Sequence, residues 1–593
     1  MDCLTMKRIT LTLSTLLAAG LMAQPALAQQ EPRDSRTYFT ARLYDRPAPQ
    51  QLSSEDRAYY DAVFSAIEGG QWGRADELLA QRDRGLLHDV AKAEYYLAAN
   101  SPRVELGQIL AWLETGAELP QAPQLVRLGQ TRGLEREPSL PYARDFVAQR
   151  EVPRRTRPRS VDDGTMPSDI RAQILEHITN DDPTGARILL DGVDASLSPE
   201  ARAEWRQRIA WSYFIENMDA QALAMAQTVP AGRGEWVAEG EWTAGLASWR
   251  LGDCETSSAA FQRAAQQAIN PTLRAASLFW ASRAAMRCRQ PGLSEDLLQD
   301  AARLDETLYG MLALEQLGRA LPDRVESADF TDEDWRAIGG NQNTRVAVAL
   351  SEIGRDVLAS QVLLHQARIG NPRDYDAYSR LARDLGFPRT QIYMALYAPP
   401  GGEADPASHY PAPKIAPPGG WEIDPGLAFA HILQESVFRA DAVSPANAQG
   451  LMQITPPTLR QHAGCVGRPA GSIDPFDPGT NLVLGQCNLQ MVARNPATGG
   501  RLPQIMAAYN AGLTPVSRWV SEVNDQNDPL LYMEAIPYWE TRGYVSIVMR
   551  NYWMYERQAN SPSPTRVALA QNAWPMFPGT SSNDGRVYMS GGQ

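Results

Sequence analysis

Almost nothing in these 593 residues reads as a β-strand. Alternating apolar and polar runs bounded by turn residues are nearly absent, which leaves a mostly all-α chain. Histidine is scarce as well: the six histidines show no HxxxH spacing. A zinc site could draw His462 together with Cys465 and Cys487, but no fourth ligand is in sight, so no metal is expected. Positive charge is in deficit too, with a formal net charge of −13. An acidic chain has no electrostatic footprint for a nucleic-acid backbone. The one basic cluster, Arg154-Arg155-Thr156-Arg157-Pro158-Arg159, is followed almost at once by Asp162-Asp163 and reads as a solvated loop.

Long apolar runs are missing beyond the first thirty residues. Residues 6–28 combine a basic Lys7-Arg8 start, an apolar run over 9–23 and a small-residue exit Ala26-Leu27-Ala28. That pattern is a secretory signal peptide with cleavage expected after Ala28, and Met6 is a candidate true start. The apolar run is shorter than the roughly 20 residues a membrane span needs. Gln29, not Cys, stands at the expected new N-terminus, so no lipid anchor is expected there, and no later run is long and apolar enough for a stable membrane span. Removing Asp2, Lys7 and Arg8 with the leader takes the charge to −14. Four cysteines remain, and an even count in an exported protein points to disulfides, here Cys254 with Cys288 and Cys465 with Cys487.

At this length two or more domains are expected. From about residue 55 to 386 the chain reads as helix after helix with short breaks. Apolar residues recur at three- and four-residue intervals, as in Ala260, Ala264 and Ala268, or Leu273, Ala276 and Trp280. Short turns force neighbouring helices antiparallel, and repeated pairs build an α-solenoid. In such a run Cys254 and Cys288 sit at adjacent helix ends, within reach of a bridge. Composition changes at Ala398: the Pro/Gly-rich 398–414 is read as a linker, and residues 558–593 as a mobile tail.

The densest information lies between Asp424 and Thr458. Asp424 and Pro425 read as N-cap and first helical residue. The following residues 427–438 are mostly apolar and carry one carboxyl, Glu435, into that setting. Losing solvation raises a carboxyl towards the range of a usable general acid. Taken alone, a Glu-Ser favours the plainer reading, in which Glu435 caps a turn or pairs with Arg439. Beyond the Ser444-Pro445 break comes Gly450-Leu451-Met452-Gln453, then Pro456 and Thr458. With Glu435-Ser436-Val437-Phe438, this order resembles the soluble lytic transglycosylases, whose catalytic domain is goose-lysozyme-like. Asn447 stands where that family usually has Gly; Asn tolerates a left-handed backbone best among non-glycine residues. Tyr509-Asn510-Ala511-Gly512 and Ile536-Pro537-Tyr538-Trp539-Glu540-Thr541-Arg542-Gly543-Tyr544-Val545 continue the likeness. Stretches of the first half, 245–253, 279–283 and 309–313, resemble the helical superstructure of the large members.

The resemblance implies an N-terminal superhelical ring over 29–397, a linker over 398–414 and a lysozyme-like catalytic domain over 415–557. It implies cleavage of the bond between N-acetylmuramic acid and N-acetylglucosamine in peptidoglycan, with closure of a 1,6-anhydro ring. Most glycosidases use two carboxylates; Asp441 matches no catalytic position of the family, and Glu435 would act alone, first as acid and then as base. Ser436, Met452, Gln453, Tyr509, Asn510, Glu540 and Tyr544 would bind the sugar, Met452 through an apolar face, and Arg542 would position the last two. No cofactor is needed. Glycan strands in the periplasm, and cell-wall synthesis proteins on the helical half, are the implied partners. A hydrolytic muramidase on the same fold, and a non-catalytic scaffold that only binds glycan, remain the alternatives.

Overall fold

The computed structural model describes residues 34–321 and 329–578, so the leader lies outside the described residues. Twenty-eight α-helices make up almost all the regular structure there. Their starts follow from local chemistry. Ser53 and Thr331 close capping boxes with Asp56 and Asp334, and Asn270 accepts from the backbone of Thr272 and Leu273. Proline occupies the first helical position at Pro199, Pro271, Pro425 and Pro478, where its missing N–H costs nothing.

Chain order is not spatial order. Side chains from the first helices, among them Tyr60, Trp112 and Leu125, share a core with Val348, Leu363 and Tyr378. A two-residue antiparallel pairing, Val147 with Ala398 and Ala148 with Tyr397, fastens the same closure. Arg144 adds backbone contacts to Arg368 and Gly370. The solenoid therefore returns on itself. The intervening helices, from Ser168–Thr179 to Leu308–Gln316, form a second core together with the C-terminal part of the chain.

That shared core changes two expectations. The segment 398–414 is Pro/Gly-rich but is no loose linker: Ala407, Tyr410 and Ala412 are buried, and the Tyr555 hydroxyl donates to Pro411 O at 2.8 Å. The expected mobile tail is, as far as residue 578, packed structure. Helix Pro564–Ala570 lies on Leu308–Gln316, with Gln316 donating to Ala570 O at 2.7 Å, and Phe577 N donates to Gly500 O at 2.8 Å. Proline and glycine mark where helices stop; whether a segment moves depends on what it buries.

The basic cluster is also corrected. The Arg155 side chain is mostly covered, 2.6 Å from Glu239 and 3.6 Å from Glu534, with its guanidinium over the rings of Trp242 and Trp539. Arg157 lies over Trp236 and Trp539. Arg155 thus enters the seam between the helical half and the C-terminal domain, while Arg154, Arg157 and Arg159 stay exposed as a solvated loop would have them.

Both disulfides form, with Cα–Cα separations of 5.6 Å for Cys254–Cys288 and 6.7 Å for Cys465–Cys487. The first joins the start of one helix to the end of its antiparallel neighbour. Removing either pair by double Cys→Ala substitution is expected to cost about 2–4 kcal/mol, because each closes a loop in the unfolded chain. Equilibrium denaturation reads this directly, and native, unreduced protein should leave all four thiols unlabelled. Among the described residues no helix is long and apolar enough to cross a membrane.

Candidate active site

Helix Pro425–Glu435, the acid helix, starts where Asp424 accepts from Gly426 N at 2.7 Å. The same carboxyl accepts from Ser35 at 2.8 Å and Tyr552 at 3.0 Å, so the helix is pinned from both ends of the chain. Its residues 425–432 are buried throughout. Glu435 is the last helical residue, and two consecutive non-glycine residues then take left-handed backbone, Val437 at φ 51° and Phe438 at φ 58°. For a β-branched residue this is strained by about 1–2 kcal/mol. The turn buries Phe438 against Phe429, exposes Val437, and prevents a further helical turn from covering the carboxyl.

The loop that follows folds as a tight double bridge, Val443 with Gln449 and Gln449 with Ile454. Asn447 is left-handed at φ 59°, as its replacement of Gly requires. Gly450 has φ +77°, and a Cβ there would collide with Asn481 and the carbonyl of Pro475. Asn481 holds this loop: it donates to Gln449 O and Pro475 O and accepts from Met452 N at 2.8 Å.

The remaining candidates divide into two groups. Tyr544, on helix Trp539–Gln558, donates to Glu435 Oε1 at 2.7 Å. Tyr509 donates to the carbonyl of Met452 at 2.8 Å, so it ties the loop to the floor of the site. Asn510 is half-buried and accepts from Thr541 at 2.6 Å, and Glu540 is exposed in the first turn of the long helix. Gln453, left-handed and half-buried, donates to Ala442 O and Gly450 O. Three expectations fail. Met452 is completely buried against Gly485, so its side chain offers no face to a sugar. Ser436 is buried with its hydroxyl turned back on Ile432 O, where it ends the acid helix. Arg542 does not reach towards Glu540; its guanidinium lies over Trp211 and Trp539 and helps fasten the domain to the helical half.

Burial pushes the Glu435 carboxyl up from 4.5 to about 7, against the hydrogen bond from Tyr544 and with help from the Glu540 charge. Such a group exchanges its proton near neutral pH, as general acid and base work requires. Burial likewise drives Tyr544 and Tyr509 upward, and the Glu435 charge adds to it, so both remain protonated donors. One residue escaped the sequence reading. His431, one helical turn before Glu435, is fully buried with Nδ1 2.7 Å from the Tyr544 hydroxyl. The i, i+4 spacing was the available signal, since it sets both side chains on one helix face.

A half-buried carboxyl raised by burial at the C-terminal end of a buried helix, on a lysozyme-like helical domain braced by a closed solenoid, agrees with the chain's likeness to known proteins. Residues 416–531 match the family described as Transglycosylase SLT domain. The chain is 29% identical over 291 residues to the "Putative soluble lytic murein transglycosylase" of Haemophilus influenzae, covering 46% of each chain. It is 34% identical over 154 residues to the "Soluble lytic murein transglycosylase" of Escherichia coli K12, 26% of this chain and 23% of that one. The aligned parts thus span less than half the length of these relatives. Over nearly the whole chain the fold matches the 70-kDa soluble lytic transglycosylase solved in complex with bulgecin A. There the TM-score is 0.56 at 16% identity, covering 89% of this chain and 100% of that one. The resemblance to soluble lytic transglycosylases therefore holds in sequence for the C-terminal domain and in fold for the whole architecture.

Proposed function

We propose that the protein is a peptidoglycan lytic transglycosylase in which Glu435 alone supplies both acid and base. The observation that carries this reading is the Glu435 carboxyl itself, desolvated at a helix end and raised to about 7. Protonated Glu435 gives its proton to the glycosidic oxygen between N-acetylmuramic acid and N-acetylglucosamine, and the C1–O bond breaks. The substrate's N-acetyl carbonyl stabilises the cation-like C1, which removes the need for the second carboxylate of ordinary glycosidases. Glu435, now ionised, takes the proton of the muramoyl C6 hydroxyl as that oxygen closes on C1. The product ends in a 1,6-anhydromuramoyl ring, and the carboxyl is again protonated.

Half-buried Gln453 and Asn510, exposed Glu540 and the Tyr509 ring are the groups we assign to the sugar. The domain we assign to catalysis is 415–557; the closed solenoid of 29–397 would guide glycan strands or hold cell-wall synthesis proteins. The basic, then apolar, then small-residue leader supports export to the periplasm.

Mass spectrometry of digests of purified peptidoglycan tests the reading. Products one water lighter than hydrolytic ones are expected. Reducing-end products would make the protein a muramidase, and no products from intact or peptide-free glycan would favour a glycan-binding scaffold.

A further inference from the structure

We propose that His431 is a positioning residue for the acid: by donating from Nδ1 to the Tyr544 oxygen, it keeps the tyrosine proton on Glu435 Oε1 and leaves Oε2 to carry and deliver the catalytic proton. The inference rests on the proposed acid role of Glu435. Its basis is a three-member chain, His431 Nδ1 to Tyr544 at 2.7 Å and Tyr544 to Glu435 Oε1 at 2.7 Å, closed off from water at its inner end.

The direction of this chain follows from what surrounds the imidazole. His431 Nε2 is buried and has no hydrogen-bond partner. One face of the ring lies against Tyr509, with centroids 4.7 Å apart. Burial drives the imidazole down to about 3, so it is neutral wherever a carboxyl near 7 titrates. A neutral imidazole has one N–H. On Nε2 that N–H would point into the interior with no acceptor, whereas on Nδ1 it meets the Tyr544 oxygen; a bare ring lone pair is the smaller loss. The Nδ1–H tautomer then occupies the tyrosine oxygen as acceptor, and the tyrosine proton turns to Glu435.

The consequence falls on the carboxyl. Ionised Glu435 accepts from Tyr544 on Oε1. When it is protonated, Oε1 still faces a donor, so the acidic proton sits on Oε2. Without the His431 donor, the Tyr544 oxygen is free to accept from Oε1–H, and the proton can rest at the back of the site. The other titratable groups around the carboxyl are Tyr509 and Glu540; helices Ser35–Arg42 and Pro478–Arg494, also packed on the acid helix, add no charge that moves it.

The test has two arms. In the wild-type protein, 15N NMR of His431 should show a neutral ring protonated on Nδ1 that does not titrate between about pH 5 and 8, the range in which an ordinary histidine changes charge. A proton on Nε2, or titration in that range, overturns the proposal whether or not the enzyme is active. In kinetics, His431→Leu should lower kcat about tenfold with KM unchanged, and move the alkaline limb of the kcat profile upward as the carboxylate loses an oriented donor. His431→Asn, whose amide N–H can replace Nδ1–H, should restore most of both. Placed in a Tyr544→Phe background, His431→Leu should have no further effect. Equal losses in Leu and Asn variants with an unmoved limb would mean packing alone, and would overturn it. Absence of anhydro products from the wild type would instead sink the proposed function, leaving the NMR result to stand separately.

Discussion

Glu435→Gln is expected to lower product formation by about 10³-fold while making the folded protein more stable at neutral pH. The first effect follows from the proposed mechanism, in which Glu435 is the group that gives and takes the proton at the bond being cleaved. The second follows from the same burial. In the unfolded chain the carboxyl titrates near its ordinary 4.5, and in the folded protein near 7. Below the unfolded value both states hold the proton, and the group costs nothing. As pH rises from there towards 7 the unfolded chain releases its proton and the folded one does not, so stability falls until the folded group ionises as well. Glutamine carries no such penalty. The variant should match wild type near pH 4 and gain about 2 kcal/mol above about pH 7.5, a figure discounted from the full shift because the residue is only half-buried. Urea denaturation of both proteins at the two pH values measures the gap. A gap that is the same at both would mean that Glu435 is an ordinary carboxyl, and the acid assignment would fall with it.

Glu435 stood out because part of its signal is local, although a turn cap or a pair with Arg439 fitted that signal too and the motifs that follow turned the reading towards an acid. An apolar helix that carries one carboxyl to its end needs no knowledge of the tertiary structure to be unusual, and the left-handed Asn447 was legible for the same reason. What surrounds the acid was less so. Tyr544 lies 109 positions away, and only the resemblance brought it to the site, whereas its direct bond to the carboxylate is a property of the fold. Met452 and Ser436 sit inside motifs that the resemblance assigns to sugar binding, yet their side chains serve packing and helix termination. A motif names a segment; it does not say which of its side chains turn outward. Periodicity carried the solenoid only as far as its antiparallel pairs, and the resemblance alone implied a ring; the closure itself rests on pairings such as Val147 with Ala398, which no periodicity announces. Segments rich in Pro and Gly were read as a linker and a mobile tail because composition reports backbone preference, while the burial of Tyr410 and the seat of Pro564–Ala570 are set by distant partners.

Arg155→Ala should destabilise the protein by about 3–5 kcal/mol, the range for removing one partner of a buried ion pair. In the sequence Arg155 belongs to a run of arginines with aspartates nearby, and a solvated face predicts a change within about 0.5 kcal/mol. The structure gives it Glu239 at 2.6 Å and Glu534 at 3.6 Å, with the indoles of Trp242 and Trp539 flanking the guanidinium. Glu534 also accepts from Tyr309 at 2.6 Å, and Tyr309 accepts from Trp280 at 3.1 Å, so one network crosses from the helical half into the C-terminal domain. Removing the cation leaves two carboxylates in a nearly dry seam. Arg542 is too engaged with Trp211 and Ile536 O to replace it. The loss should reach the site, because Trp539 begins the helix that carries Tyr544 to Glu435. Activity should therefore fall with stability, and adding Glu239→Gln and Glu534→Gln to Arg155→Met should recover part of the stability by removing the stranded charges. Denaturation of these variants beside wild type decides it: a neutral Arg155→Ala would return Arg155 to the solvated loop around it, whereas a large loss relieved by the two Gln substitutions would establish that the seam holds the C-terminal domain in register.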